Sequence, residues 1–118
     1  YKRQGVTETY NLVDLNLSQD ERSALVEFYS EHSPANHQDK TVVIAKWLKD
    51  VKGIDEVNKD IVFTVLRTLG ESTSFNISQA LVNAKNLKSF FVSTEAGKFK
   101  INHIGEDHVD RDLVGKDK

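Results

Sequence analysis

The chain has 118 residues, of which 38% are hydrophobic and 29% charged, and this size suits one small globular domain. The 16 lysines and arginines nearly balance the 18 aspartates and glutamates, so the net charge of −2 argues against an indiscriminate polycationic nucleic-acid binder. The absence of cysteine excludes disulfides, cysteine-ligated zinc, iron–sulfur clusters and thiol catalysis, and no apolar run reaches the roughly 18–20 residues of a membrane helix.

The first part of the chain predicts an arm followed by a helix. Residues 1–16 are polar and lack helical periodicity, so we expect an arm or linker before a domain over residues 17–114 and a frayed tail at 115–118. Ser18 and Glu21 have the spacing of a capping box, which predicts the start of the first helix. Its apolar-leaning face comprises Leu25, Phe28, Tyr29 and His32.

Two further helices are predicted in the middle of the chain, with a short strand between them. Asn36 predicts the cap of a second helix that continues to about Val51, with an apolar stripe of Ile44, Trp47, Leu48 and Val51. Residues 54–57 are long enough only for a minor strand. Asn58 predicts the cap of a third helix over 59–69, whose inward positions are Ile61, Val65, Leu66 and Leu69.

The last third of the chain predicts a helix, a hairpin and a final helix. A fourth helix is expected over 77–88, and its inward positions are Ile77, Ala80, Leu81, Ala84 and Leu87. The β-prone runs 90–92 and 99–101, joined by a turn that contains Gly97, predict a β-hairpin. A last helix is expected over 103–113, with Ile104, Val109 and Leu113 as its apolar residues.

This order of elements resembles the winged helix-turn-helix superfamily over roughly residues 38–113. The third helix ends at Leu69-Gly70, and after a turn the fourth begins Asn76-Ile77-Ser78-Gln79, in the manner of a helix-turn-helix. The second hairpin strand then runs through Ile101-Asn102 into a helix start with Gly105, where the superfamily commonly has Leu-Thr-x-x-Gly. The resemblance implies an α+β, mainly α, fold with an additional N-terminal helix and a C-terminal helix.

The same resemblance implies DNA binding, with the fourth helix in the major groove and hairpin lysines on flanking phosphates. The outward positions of that helix carry amides, which can pair with adenine edges, and lysines, which can contact phosphates. Residues 72–104 hold four lysines against one glutamate, a net of +3, while residues 1–53 hold 7 basic and 8 acidic residues. The candidate DNA-binding residues are Ser78, Gln79, Asn83, Lys85, Asn86, Lys88, Lys98 and Lys100.

The alternative function is a protein-interaction or dimerisation module with the same fold. The fourth helix contains no arginine, the side chain best suited to bidentate contacts with guanine. Phe63 falls off the stripe of the third helix, so it is either covered by other elements or part of an interface. The apolar residues of the arm likewise either dock on the core or pair with a homodimer partner or partner domain: Tyr10, Leu12, Val13, Leu15 and Leu17.

Catalysis, cofactor binding and metal binding are not expected. The chain has no nucleophile elbow, phosphate-binding glycine loop or His-Glu-x-x-His motif. The histidine pairs His32/His37 and His103/His108 are each spaced by five, a separation that turns them apart on a helix. Because the chain contains no methionine, even at position 1, we expect a module of a larger cytoplasmic protein.

Overall fold

The structure, a computed structural model, describes residues 9–34 and 36–113, so the expected tail at 115–118 and half of the expected arm lie outside the described residues. The described chain is α+β and mainly helical, with one small antiparallel sheet. No helix in these two ranges is long and apolar enough to cross a membrane. The elements are α1 (Gln19–His32), α2 (His37–Trp47) with a π-helical turn (Leu48–Lys52), β1 (Glu56–Val57), α3 (Lys59–Leu69), α4 (Ile77–Lys88), β2 (Phe91–Glu95), β3 (Lys98–Ile101) and α5 (His103–Asp107) with a π-helical turn (His108–Leu113).

Side-chain caps fix where the helices begin. The predicted capping box is confirmed, because Ser18 Oγ accepts the Glu21 amide proton and the Glu21 carboxylate accepts that of Ser18. This hydrogen bond from the Ser18 backbone, together with the contact with Lys52, lowers the pKa of the Glu21 carboxyl below its usual 4.5. The other helices begin at asparagines whose side chains accept the amide proton three residues on: Asn36, Asn58, Asn76 and Asn102.

Helix α2 is the centre of the hydrophobic core. Its residues Val42–Ala45 are all buried, since α1, α3, α4, α5 and β3 contact it from different sides. Trp47 is only 2% exposed, which confirms its prediction as a core residue. The buried face of α3 comprises Val62, Val65 and Leu66, while Ile61 and Leu69, both predicted to point inward, are half-buried at its margins.

Two predictions of inward-facing residues are wrong. Val51 is 47% exposed because it lies in the π-helical turn, where the wider spiral changes the angular spacing on which the α-helical stripe depends. Leu87 is 72% exposed because it lies in the last turn of α4, just before Ser89 turns the chain away in a left-handed conformation with φ +61°. In both cases the residue lies where the regular α-helix changes type or ends, so the helical period no longer determines which way its side chain points.

The sheet has the strand order β1-β3-β2, with both pairings antiparallel. The predicted hairpin is confirmed, with longer strands and a tighter turn at Ala96 and Gly97. Phe99 and Ile101 of β3 are buried against the helices, whereas Lys100 between them is exposed. The sheet therefore has one face in the core and one outer face, as expected from the alternation of side chains along a strand.

Most of the described part of the arm packs on the core of this same chain, with Leu15 buried and Val13 and Leu17 partly buried, whereas Leu12 is 67% exposed. The ring of Tyr10 stacks on that of Phe63, with centroids 4.9 Å apart, and so covers the side chain that falls off the α3 stripe. The Tyr10 hydroxyl donates to the Phe75 carbonyl (3.2 Å) and accepts the amide proton of Ile77 (3.0 Å). The arm thereby holds the turn between α3 and α4 and the first residue of α4.

We expect Tyr10→Phe to lower the free energy of unfolding by about 1–2 kcal/mol, as measured by urea denaturation. The substitution keeps the stack on Phe63 but removes both hydrogen bonds to the α3–α4 turn. Tyr29→Phe is the comparison variant, because the buried Tyr29 hydroxyl makes no hydrogen bond of normal geometry within the described residues and has only the Glu71 carboxylate near it. Equal losses in the two variants would contradict the role assigned to Tyr10.

Candidate nucleic-acid interface

Helix α4 turns a row of amides away from the core. Its buried residues, Ile77, Ala80, Leu81 and Ala84, set the rotation of the helix about its axis. Gln79, Asn83 and Asn86 follow one another at i, i+4 and i+7 on the opposite side. The Gln79 Nε2 donates to the Asn83 Oδ1 at 2.9 Å, so two of these amides are aligned along the helix. The row offers both hydrogen-bond donors and acceptors to a partner outside the chain.

One cleft of about 420 Å³ separates the first half of α4 from the tip of the hairpin. Ser78 and Val82 line it from α4, and Gly97 and Lys98 line it from the hairpin. The first turn of α3 closes its third side. Two predicted site residues from different elements, Ser78 and Lys98, therefore share one cleft.

A second cleft, of about 550 Å³, lies between the last turns of α4 and strand β2. Lys85 and Asn86 line it from the helix, and Val92 and Ser93 line it from the strand. Both clefts lie between α4 and the hairpin, so the hairpin runs alongside α4. The amides of Gln79 and Asn83 line neither cleft.

The four lysines of the candidate site differ in their surroundings. The Lys98 Nζ is 3.3 Å from the Glu95 carboxylate, but both side chains are largely exposed, and such pairs contribute little to stability. The Lys85 Nζ is 3.5 Å from the Asn86 Oδ1, a long contact. Lys88 and Lys100 are exposed, and in the described part of the chain neither makes an ion pair or hydrogen bond. Lys88, Lys98 and Lys100 are therefore open to an anionic partner, and the half-buried Lys85 has only a weak contact of its own.

Not every predicted residue is brought together. Lys88 lies at the C-terminal end of α4, and Lys100 lies on the outer face of the sheet, where Glu56 of β1 is its cross-strand neighbour. Neither residue lines a cleft beside α4. They add positive charge to the edges of the surface rather than to the groove between α4 and the hairpin.

Two residues that line this surface were not predicted from the sequence. Lys59 and Asp60, in the first turn of α3, line the cleft that Ser78 and Lys98 share. The position of these two residues depends on the pairing of β1 with β3, because α3 begins directly after β1 and so starts beside the hairpin. A two-residue strand gives too weak a sequence signal to predict that pairing, although the strand itself was expected.

The histidines make separate contacts in the fold. His108 Nε2 lies 2.8 Å from the buried Asp39 carboxylate, which ties the last helical turn to α2. The His37 ring stacks on that of Phe75 at 3.8 Å, and burial together with Lys40 lowers the pKa of His37 below 6.5. Across residues 9–34 and 36–113, no three histidine, aspartate or glutamate side chains form a group that could hold a metal ion.

Comparisons of the chain with protein-family models, with curated proteins and with solved structures each give no significant match.

Proposed function

We propose that this chain is a winged helix-turn-helix domain that binds double-stranded DNA, with α4 in the major groove and the hairpin against the flanking backbone. The succession α2, β1, α3, α4, β2, β3 supports the fold, because it is the order on which the winged-helix resemblance rests. Helices α1 and α5 are then the additional elements at either end.

The observation that carries the proposal is the amide row of α4, which faces away from the core beside the hairpin, with Gln79 and Asn86 exposed and Asn83 half-buried. A B-DNA major groove, about 12 Å wide, admits one α-helix, and asparagine or glutamine side chains can bond adenine N6 and N7 in a bidentate manner. Gln79 lies in the first turn of α4 and Asn83 one turn later, in the N-terminal part of a recognition helix that contacts base edges, and Asn86 lies in the last turn on the same face. Lys85 and Lys98, on the hairpin side of the helix, would meet the phosphates.

The distribution of charge also supports this orientation. Outside α4 and the hairpin, lysines of α2 and its π-helical turn are paired with carboxylates: Lys46 with Asp50 (2.7 Å) and Asp110 (3.7 Å), Lys49 with Glu106, and Lys52 with Glu21 (3.0 Å). The segment 72–104, by contrast, carries four lysines and one glutamate. The net positive charge is thus concentrated on α4 and the hairpin, where it would steer a duplex.

A titration of the chain into a fluorescent random duplex tests the proposal. We expect binding at about 50 mM salt that weakens as salt rises, with a slope of log K against log salt of about −3 to −4 for four phosphate contacts. No binding at about 50 mM salt, or a slope near zero, would overturn it.

The second candidate function, a protein-interaction or dimerisation module, makes a different prediction. If the chain binds a protein partner, its affinity for that partner should be the same when the four lysines are replaced by glutamate. The specific observation in its favour is the open edge of β2, which lies beside the last turns of α4 and away from Gln79 and Asn83.

A further inference from the structure

One side chain of the amide row of α4 is held in place by its neighbours in the helix. The Asn76 Oδ1 accepts the backbone amide proton of Gln79 at 2.9 Å, and the Gln79 Nε2 donates to the Asn83 Oδ1, also at 2.9 Å. The backbone and the carboxamide of Gln79 therefore each have a partner within α4. The Gln79 side chain is nevertheless exposed, and it lies in the first turn of the helix.

The bond between the two carboxamides leaves a defined set of polar groups on Gln79. A glutamine carboxamide has two N–H donors and one oxygen acceptor. Gln79 gives one N–H to Asn83, and its side chain makes no other hydrogen bond with the residues that the structure describes. One donor and the Oε1 acceptor remain for a partner outside the chain. In the major groove only adenine presents one acceptor, N7, together with one donor, N6, whereas guanine presents two acceptors.

The other two amides of the row are less suited to such a contact. Asn83 is half-buried, and its Oδ1 already accepts from Gln79. Asn86 is exposed, but it lies in the last turn of α4, and its Oδ1 has only a long contact of 3.5 Å with the Lys85 Nζ. Recognition helices contact base edges chiefly with their N-terminal residues. Gln79 therefore combines exposure, a fixed orientation and a place in the first turn.

We propose that Gln79 recognises an adenine in a preferred DNA site, with Oε1 accepting from N6 and Nε2 donating to N7, and that Asn83 is the positioning residue that holds the Gln79 carboxamide. This inference rests on the proposed function, because it needs α4 to enter the major groove. A side chain that is already oriented loses less conformational freedom on binding, so its contact with the base is stronger than that of a freely rotating glutamine. The domain therefore prefers duplexes with an adenine at one position.

Selection from a pool of duplexes that each contain about ten randomised base pairs, one helical turn, tests this proposal. The fraction bound at about 50 mM salt is sequenced. We expect one position at which adenine is enriched over guanine about tenfold, the discrimination of a good bidentate contact. Binding of the pool with no enriched position would overturn this inference and leave the proposed function standing. No binding by any duplex would overturn both.

Variants of Gln79 identify the side chain that recognises the base. Gln79→Ala should remove the enrichment at that position while the pool still binds, because the phosphate contacts remain. Gln79→Glu should change the preferred base to cytosine, whose N4 donates to a carboxylate. Adenine enrichment that persists in either variant would overturn the assignment.

Variants of Asn83 test its positioning role. Asn83→Ala removes the acceptor of the Gln79 Nε2, so the ratio of the affinities for the adenine and guanine duplexes should fall from about tenfold to about threefold. Asn83→Asp keeps an acceptor there, so it should retain the ratio even though its negative charge weakens binding to every duplex. A general loss of stability would lower both affinities alike and leave the ratio unchanged. A ratio in Asn83→Ala equal to that of the unchanged chain would overturn the role of Asn83.

Discussion

Reversing the charge of all four lysines of the candidate interface is expected to abolish binding to duplex DNA. The variant carries Lys85→Glu, Lys88→Glu, Lys98→Glu and Lys100→Glu. Each change removes a positive charge that would contact or attract the phosphates and adds a repulsive one, so we expect affinity at about 50 mM salt to fall at least about 100-fold. Fluorescence anisotropy with a random duplex measures the loss. All four side chains lie at the surface or its margin, so the fold should persist, which circular dichroism checks.

The matched control reverses positive charge elsewhere. Arg22→Glu with Arg67→Glu changes two exposed side chains on α1 and α3, outside both clefts beside α4. We expect the control to reduce affinity only slightly, through the change in net charge. If the control weakened binding as much per reversed charge as the lysine variant did, the lysines would act through total charge alone, and the proposed orientation would be wrong.

The largest expected effect on stability comes from Gly105→Ala. In an exposed helix this change would add stability, because alanine favours the helix by about 1 kcal/mol over glycine. Here the new Cβ would lie 2.6 Å from the Phe90 carbonyl oxygen, 2.8 Å from Ile101 Cγ1 and 3.1 Å from Val42 Cγ2. The Phe90 carbonyl also accepts the Asn102 amide proton, so relief of the clash would disturb the β2–β3 junction. We expect a loss of about 2–3 kcal/mol in urea denaturation.

Gly97→Ala separates steric conflict from backbone strain. Gly97 lies in the hairpin turn with φ +79° and has no atom within 4 Å of an added Cβ, so only the left-handed backbone resists the change. Its cost should be about 1 kcal/mol. If Gly105→Ala were as stable as the unchanged chain, the close packing of α5 on the hairpin would be contradicted.

The features that depend on adjacent residues could be predicted from the sequence. Ser18 and the capping asparagines have side chains that satisfy the first amides of a helix, so each helix start follows from a few adjacent residues. The hairpin likewise follows from two β-prone runs and one glycine turn. Trp47 was assigned to the core correctly, because it lies on a part of α2 whose helical period is regular.

The sequence could not predict features that depend on distant contacts or on a change of helix type. Whether Tyr10 packs on this chain or on another is decided by Phe63 and by the α3–α4 turn, far away in sequence. The exposure of Val51 follows from a π-helical turn that no local pattern announced. The outward face of α4 was predictable from its four buried residues, whereas the place of Lys59 beside it required the β1–β3 pairing.

In the proposed function, α4 and the hairpin form one DNA-binding surface. Backbone amide NMR spectra of the chain, recorded with increasing amounts of an about 20-base-pair duplex at about 50 mM salt, test it most directly. We expect the shifts to concentrate at residues 78–88 and 95–100, with α1 and the π-helical turn after α2 unaffected. Shifts centred on α1, or spectra that do not change when duplex is added, would contradict the account.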